Sequence, residues 1–132
     1  IFTMAYTAAG LSPDGASSWV LPRRIGPGRT RELMLTNRRL SATEALDWGL
    51  VNEIVPAPGL ATRAQNVAGQ FANGPTAAFG EVKALLASAA THPIETQMEL
   101  EARSIAASAR TWDAREGIEA FVQKRRPRFT GN

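Results

Sequence analysis

From Leu60 onward, apolar residues return at helical spacing. Leu60, Ala64, Val67, Ala68 and Phe71 share one face of a period of about 3.6 residues, and Asn73-Gly74-Pro75 supplies a stop and a restart. Phe79, Val82, Leu85 and Leu86 mark a second helix, and Ile94, Met98, Ala102, Ile105 and Ala109 mark a third that begins after His92-Pro93. Asp113-Ala114-Arg115-Glu116 has the spacing of a capping box opening a fourth helix, with Ile118, Phe121 and Val122 on its buried side. These apolar faces are modest and Ala-rich. Small side chains bury little area each, so the helices are expected to pack against something further.

The earlier residues carry a different pattern. Gly10, Pro13, Gly15, Pro22, Gly26, Pro27 and Gly28 punctuate residues 1–29 and predict loop-dominated backbone. Arg31 to Leu35 predicts a short helix, and Ser41-Ala42-Thr43-Glu44 a capping box opening another that Gly49 closes. Leu50 to Val55 is β-rich and predicts a strand, stopped by Pro56 and Pro58. The chain therefore divides into a mixed part, 1–58, and a helical part, 59–132, without internal repeats. It opens on Ile1-Phe2-Thr3, with no initiator Met and in the pattern of a strand interior, so we expect a piece of a longer protein.

At 132 residues the chain suits one globular domain or part of one. It has no Cys, which excludes disulfides, thiolate metal sites and Cys nucleophiles together, and one histidine, His92, which excludes a His cluster and an ordinary Ser-His-Asp triad within it. No metal is expected. The net charge is +3, and all the basic residues except Lys83 and Lys124 are Arg. That balance favours anions, but aromatic interleaving is thin and no nucleic-acid motif accompanies it, so no nucleic-acid partner is expected. No run approaches the roughly 18 apolar residues of a membrane span, and no secretory signal is evident, which predicts a cytoplasmic protein without membrane contact.

Candidate chemistry concentrates in Gly10-Leu11-Ser12-Pro13-Asp14-Gly15-Ala16-Ser17-Ser18-Trp19. Asp14, held between turn formers and beside Leu11 and Trp19, is a candidate for desolvation towards the pKa a proton shuttle needs. From spacing alone it reads first as an ordinary turn or N-cap aspartate, as Pro-Asp-Gly often is. Gly26-Pro27-Gly28 lacks the glycine count and the Lys-Ser/Thr ending of phosphate loops and reads as a turn. His92 reads as a capping or solvent-facing residue, and Ser17 and Ser18 lack a nearby base.

Four segments carry a family resemblance. Leu11-Ser12-Pro13-Asp14-Gly15, Leu21-Pro22-Arg23-Arg24-Ile25-Gly26 and the run from Arg39 to Pro56 resemble the crotonase (enoyl-CoA hydratase/isomerase) superfamily, as does the end from Glu116 to Phe129. The resemblance covers essentially the whole chain and matches the family's C-terminal half. It implies an α/β fold: a crotonase-like ββα spiral, of which only the C-terminal part is present, followed by a helical region that builds homotrimers or hexamers.

The implied substrate is an acyl-CoA thioester, with coenzyme A as part of the substrate and no separate cofactor. Two backbone N–H groups of the family's N-terminal half, outside this chain, would hold the thioester oxygen of an enolate. The second glutamate of the family's hydratases corresponds to Tyr6, which is no base at neutral pH without a large pKa shift. Asp14 matches the proton-shuttling Asp of the family's double-bond isomerases, and the local sequence is most similar to the ring-opening isomerases of phenylacetate degradation. A dehalogenase subgroup carries a nucleophilic Asp at this position and an aromatic residue where Tyr6 stands. Leu11 and Trp19 are expected near the acyl pocket. Phe121 and Lys124 match positions that reach the CoA adenine and phosphates, although Phe121 also suits the helix's buried face. The expected function is double-bond isomerisation, with a hydratase-like or dehalogenase-like enzyme, or a non-catalytic oligomerisation fragment, as alternatives.

Overall fold

Gly26 and Pro27 make a helix junction out of a stretch that reads as loop. In the computed structural model, which describes residues 1–132, α1 (Ser17–Ile25) ends at Gly26, whose φ of 83° and ψ of 156° suit a residue without Cβ, and α2 (Pro27–Thr36) starts on Pro27. The loop expected over residues 1–29 is thus corrected from Ser17 onward. Pro22 lies inside α1, where it removes its own N–H donor, and α1 packs on α2 nonetheless. The expected Arg31–Leu35 helix is the C-terminal half of α2.

Residues 1–58 and 59–132 form two units. The core of the first is Ile25, Leu33, Leu40 and Ala45, with Met4, Trp48, Leu50 and Val51 packed against it. Leu40 has no exposed surface and forms an antiparallel bridge with Phe2, each backbone N–H donating to the other's carbonyl at 2.9 and 2.8 Å. That bridge is the β pairing of the Ile1–Thr3 segment, and the Thr3 hydroxyl donates to the Asn37 carbonyl at 3.2 Å. α3 (Ala42–Asp47) carries the anticipated capping box: Glu44 N–H donates to Ser41 Oγ at 3.2 Å and Ser41 N–H to Glu44 Oε2 at 2.9 Å. The Ser41 N–H, together with the Arg38 guanidinium, holds the Glu44 pKa down at about 2. The strand expected over Leu50–Val55 is not formed. The Leu50 and Val51 N–H groups donate instead to the Ala45 carbonyl, closing α3, and the segment has no partner strand.

The second unit is helical throughout: α4 (Leu60–Ala72), α5 (Thr76–Ala89), α6 (Ile94–Ser108) and α7 (Trp112–Val122). Phe71 and Phe79 meet edge to face at 5.9 Å across the α4–α5 turn. α5 and α6 are joined by Ser88 to Gln97 at 3.0 Å and Ser104 to Glu81 at 2.8 Å. Leu86, Ile94, Met98 and Ile105 lie exposed, and a cavity of about 500 Å³ opens among residues of α5, α6 and α7, lined by Pro75, Ala77, Ile105, Ala109, Ile118 and Phe129. The apolar faces therefore remain uncovered within this chain. No helix is long and apolar enough to cross a membrane.

α7 differs from expectation. Its N-cap is Thr111, whose hydroxyl accepts from Ala114 N–H at 3.1 Å, and Asp113 and Glu116 do not form a capping box. Both carboxylates clamp the segment after the helix. Asp113, 3% exposed, accepts from the Thr130 and Gly131 N–H groups at 2.7 and 2.9 Å. Glu116 accepts two bonds from the Arg125 guanidinium at 2.6 and 2.8 Å and one from Arg128 N–H at 2.8 Å. With Ala120 they occupy the inner face, so Ile118, Phe121 and Val122, expected on the buried side, are 66%, 85% and 74% exposed.

The Arg125 guanidinium, with the Arg128 N–H, lowers the Glu116 pKa from 4.5 to about 2. A carboxylate depressed in the folded state contributes stability that is fully present above its unfolded pKa and is lost as pH falls through the folded one. Glu116→Gln should accordingly lower the urea midpoint of the protein at pH 7, and the difference from wild type should shrink between pH 4.5 and about 2. A difference that does not change over that interval would remove the ion pair from the clamp.

Candidate active site

The backbone of the loop before α1 is shaped by local turns. Tyr6 carbonyl accepts from the Ala9 and Leu11 N–H groups, both at 3.0 Å, around a single 3-10 turn (Thr7–Ala9) that Gly10 closes with φ 69°. Gly15 and Ala16 then take φ values of 58° and 60°, and the left-handed pair turns the chain into α1. The Asp14 carbonyl, not its side chain, serves the helix start: it accepts from Ser17 N–H at 3.0 Å and Ser17 hydroxyl at 2.7 Å.

The Asp14 carboxylate is left for another partner. Tyr6 hydroxyl donates to Asp14 Oδ1 at 2.7 Å. This bond and the adjacent negative charge raise the tyrosine pKa above its ordinary value, so the phenol remains a donor throughout the neutral range. The loop is tied to the C-terminus of α2 through Asn37, itself left-handed with φ 53°. Asn37 Nδ2 donates to Thr7 Oγ1 at 2.7 Å, Thr7 hydroxyl donates to Met34 carbonyl at 2.8 Å, and Ala8 N–H donates to Asn37 Oδ1 at 3.3 Å.

Of the candidate residues, Tyr6 and Asp14 are brought together. Leu11 and Trp19 are 61% and 50% exposed, and Asp14 is exposed as well, so these two residues do not desolvate the carboxylate in the way their neighbourhood in sequence suggests. One face of Trp19 is taken by the Arg23 guanidinium, 3.8 Å from the ring centroid. Phe121 and Lys124 lie in the second unit, at the end of α7. Phe121 is 85% exposed, so it does not pack into the core of this chain, and Lys124 stands at φ 54° beyond the helix cap. No group of three or more acidic or histidine side chains suited to a metal ion is present.

Three features escaped the sequence reading. Asn37 was detectable only as an Asn directly after a helical run, a position that favours left-handed backbone. The Tyr6–Asp14 bond joins residues eight apart in a loop without periodicity. The Asp113 and Glu116 clamp pairs carboxylates with backbone far downstream, for which acidic residues near a helix start are no signal.

The enoyl-CoA hydratase/isomerase family model matches residues 1–132. The chain is 40% identical over 130 residues to 1,2-epoxyphenylacetyl-CoA isomerase of Escherichia coli, covering 98% of this chain and 50% of that protein. It is 36% identical over 107 residues to 4-chlorobenzoyl coenzyme A dehalogenase-1 of an Arthrobacter species, covering 81% of this chain and 39% of that protein. The crystal structure of an enoyl-CoA hydratase/isomerase from Cupriavidus metallidurans superimposes with a TM-score of 0.91 at 38% identity, over 98% of this chain and 49% of that one. The chain thus spans about half the length of the relatives it matches. Its helices fit the C-terminal, helical part of their fold. These residues belong to the enoyl-CoA hydratase/isomerase family, as a C-terminal half of the crotonase superfamily.

Proposed function

We propose that these residues serve an acyl-CoA double-bond isomerase in which Asp14 is the general base and then the general acid. The observation that carries this reading is an exposed carboxylate with one oxygen held by Tyr6 and the other making no hydrogen bond within the chain. Asp14 Oδ2 takes a proton from C2 of a 3-enoyl-CoA, and the electron pair moves into the thioester carbonyl to give an enolate. The protonated carboxyl then returns the proton to C4 as the pair moves back, leaving the 2-enoyl-CoA. The enolate oxygen would be held by two backbone N–H groups from outside these 132 residues. Likeness to the epoxyphenylacetyl-CoA isomerase supports isomerisation, and the family resemblance, which sets Tyr6 where the hydratases carry their second glutamate, argues against ordinary hydration.

In this reading Phe121 and Lys124 contact CoA, the one by stacking and the other by charge, which suits a ring 85% exposed at the end of α7. The exposed apolar faces of α5 and α6 would be covered in a homotrimer or hexamer. The enzyme works in the cytoplasm on a soluble thioester and needs no further cofactor. A second reading, hydrolytic dehalogenation with Asp14 as nucleophile, draws on the likeness to the chlorobenzoyl-CoA dehalogenase.

The test is to incubate the full-length enzyme with 3-hexenoyl-CoA and, separately, with 4-chlorobenzoyl-CoA. A conjugated 2-enoyl thioester of unchanged mass is the expected product. Addition of one water would overturn isomerisation in favour of hydration, and chloride release with no double-bond shift would favour the dehalogenase reading.

A further inference from the structure

The phenol of Tyr6 has no part in the proton transfer described above, yet it donates to the one carboxylate that does, at 2.7 Å. We propose that Tyr6 is a positioning residue for Asp14: its hydroxyl fixes Oδ1, leaving Oδ2 as the oxygen that takes and returns the proton. This inference rests on the assignment of Asp14 as the acid/base.

The geometry supports it from both ends. Asp14 follows Pro13 and precedes two left-handed residues, so its backbone is set by turn geometry, while its exposed carboxylate is oriented by the Tyr6 hydroxyl and not by a backbone N–H. The remaining freedom is rotation of the carboxyl, and the Tyr6 bond is the restraint on it. Tyr6 is itself held. It opens the 3-10 turn whose Thr7 is bonded to Asn37 and to the Met34 carbonyl, so the phenol projects from backbone tied to α2 rather than from a free loop. A phenol suits this task because it does not titrate near neutrality, and the neighbouring carboxylate moves its pKa further from that range. The donor therefore stays in place as the carboxylate cycles between its charged and protonated forms, and it stabilises the charged form more, since hydrogen bonds to ionised acceptors are the stronger ones.

The experiment compares Tyr6→Phe, Asp14→Asn and a variant with 4-aminophenylalanine at position 6 in the full-length enzyme, using 3-hexenoyl-CoA. Tyr6→Phe is expected to lower kcat by about tenfold to a hundredfold, the range for a lost hydrogen bond to a charged group, with KM unchanged within about twofold. The 4-aminophenylalanine variant keeps an N–H donor at the same place and should recover most of kcat. A purely structural role for the ring would not distinguish those two variants. If Tyr6→Phe retains wild-type kcat while Asp14→Asn is inactive, the positioning role is overturned and the base assignment stands. If Tyr6→Phe raises KM alone, Tyr6 is a substrate contact and the proposal fails in the same way. If Asp14→Asn itself turns over normally, the base assignment fails first.

Discussion

Asp14→Asn is expected to lower the proposed isomerisation by the full-length protein by about two to four orders of magnitude, the range for a positioned general acid or base. The substitution is nearly isosteric, and the amide oxygen can still accept the Tyr6 hydroxyl that now bonds Asp14 Oδ1 at 2.7 Å. The turn would persist as well, because α1 starts on the Asp14 carbonyl rather than its carboxylate. What disappears is the oxygen able to carry a proton between two carbons. CoA affinity should stay within about twofold, since the proposed CoA contacts are Phe121 and Lys124. Turnover of 3-hexenoyl-CoA and titration with free CoA read the two effects separately. A rate within tenfold of wild type would take Asp14 out of the reaction.

Leu40→Ala should have the largest effect on stability, about 2 to 5 kcal/mol. Leu40 has no exposed surface and is packed with Ile25, Leu33 and Ala45, which come from α1, α2 and α3. Truncation leaves a cavity where three helices meet, and their backbones cannot all close on it. The two bridge bonds to Phe2 use backbone atoms and survive the change. Leu40 lies three residues beyond Asn37, so the packing defect sits next to the bonds that hold the Tyr6 turn. Urea unfolding of the full-length enzyme measures the loss. A change under about 1 kcal/mol would mean that the site collapses around the smaller side chain.

Local patterns survived best where the helices carry their own punctuation. α4, α5 and α6 follow the apolar spacing, with Asn73-Gly74-Pro75 and His92-Pro93 between them, and the Ser41–Glu44 capping box forms with both bonds present. α1 was hidden because Pro22 and the surrounding glycines signal irregular backbone, whereas burial of Ile25 decides for a helix. Leu50 to Val55 has β propensity but no neighbour in the chain to pair with, and its first two N–H groups are taken by Ala45. At the site, Asp14 was visible from the turn formers around it. Its partner was not, because nothing in spacing or composition encodes a side chain reaching across a left-handed turn from Tyr6.

The α7 clamp has a consequence for the order of events during synthesis. Asp113 and Glu116 leave the ribosome before Arg125, Arg128, Thr130 and Gly131, the residues that satisfy them. Until those donors emerge, α7 presents two uncompensated acids on the face it later turns inward, and docking that face early would strand buried charge. Seating of α7 is therefore expected to wait for the downstream donors, whereas α4 to α6 do not depend on them.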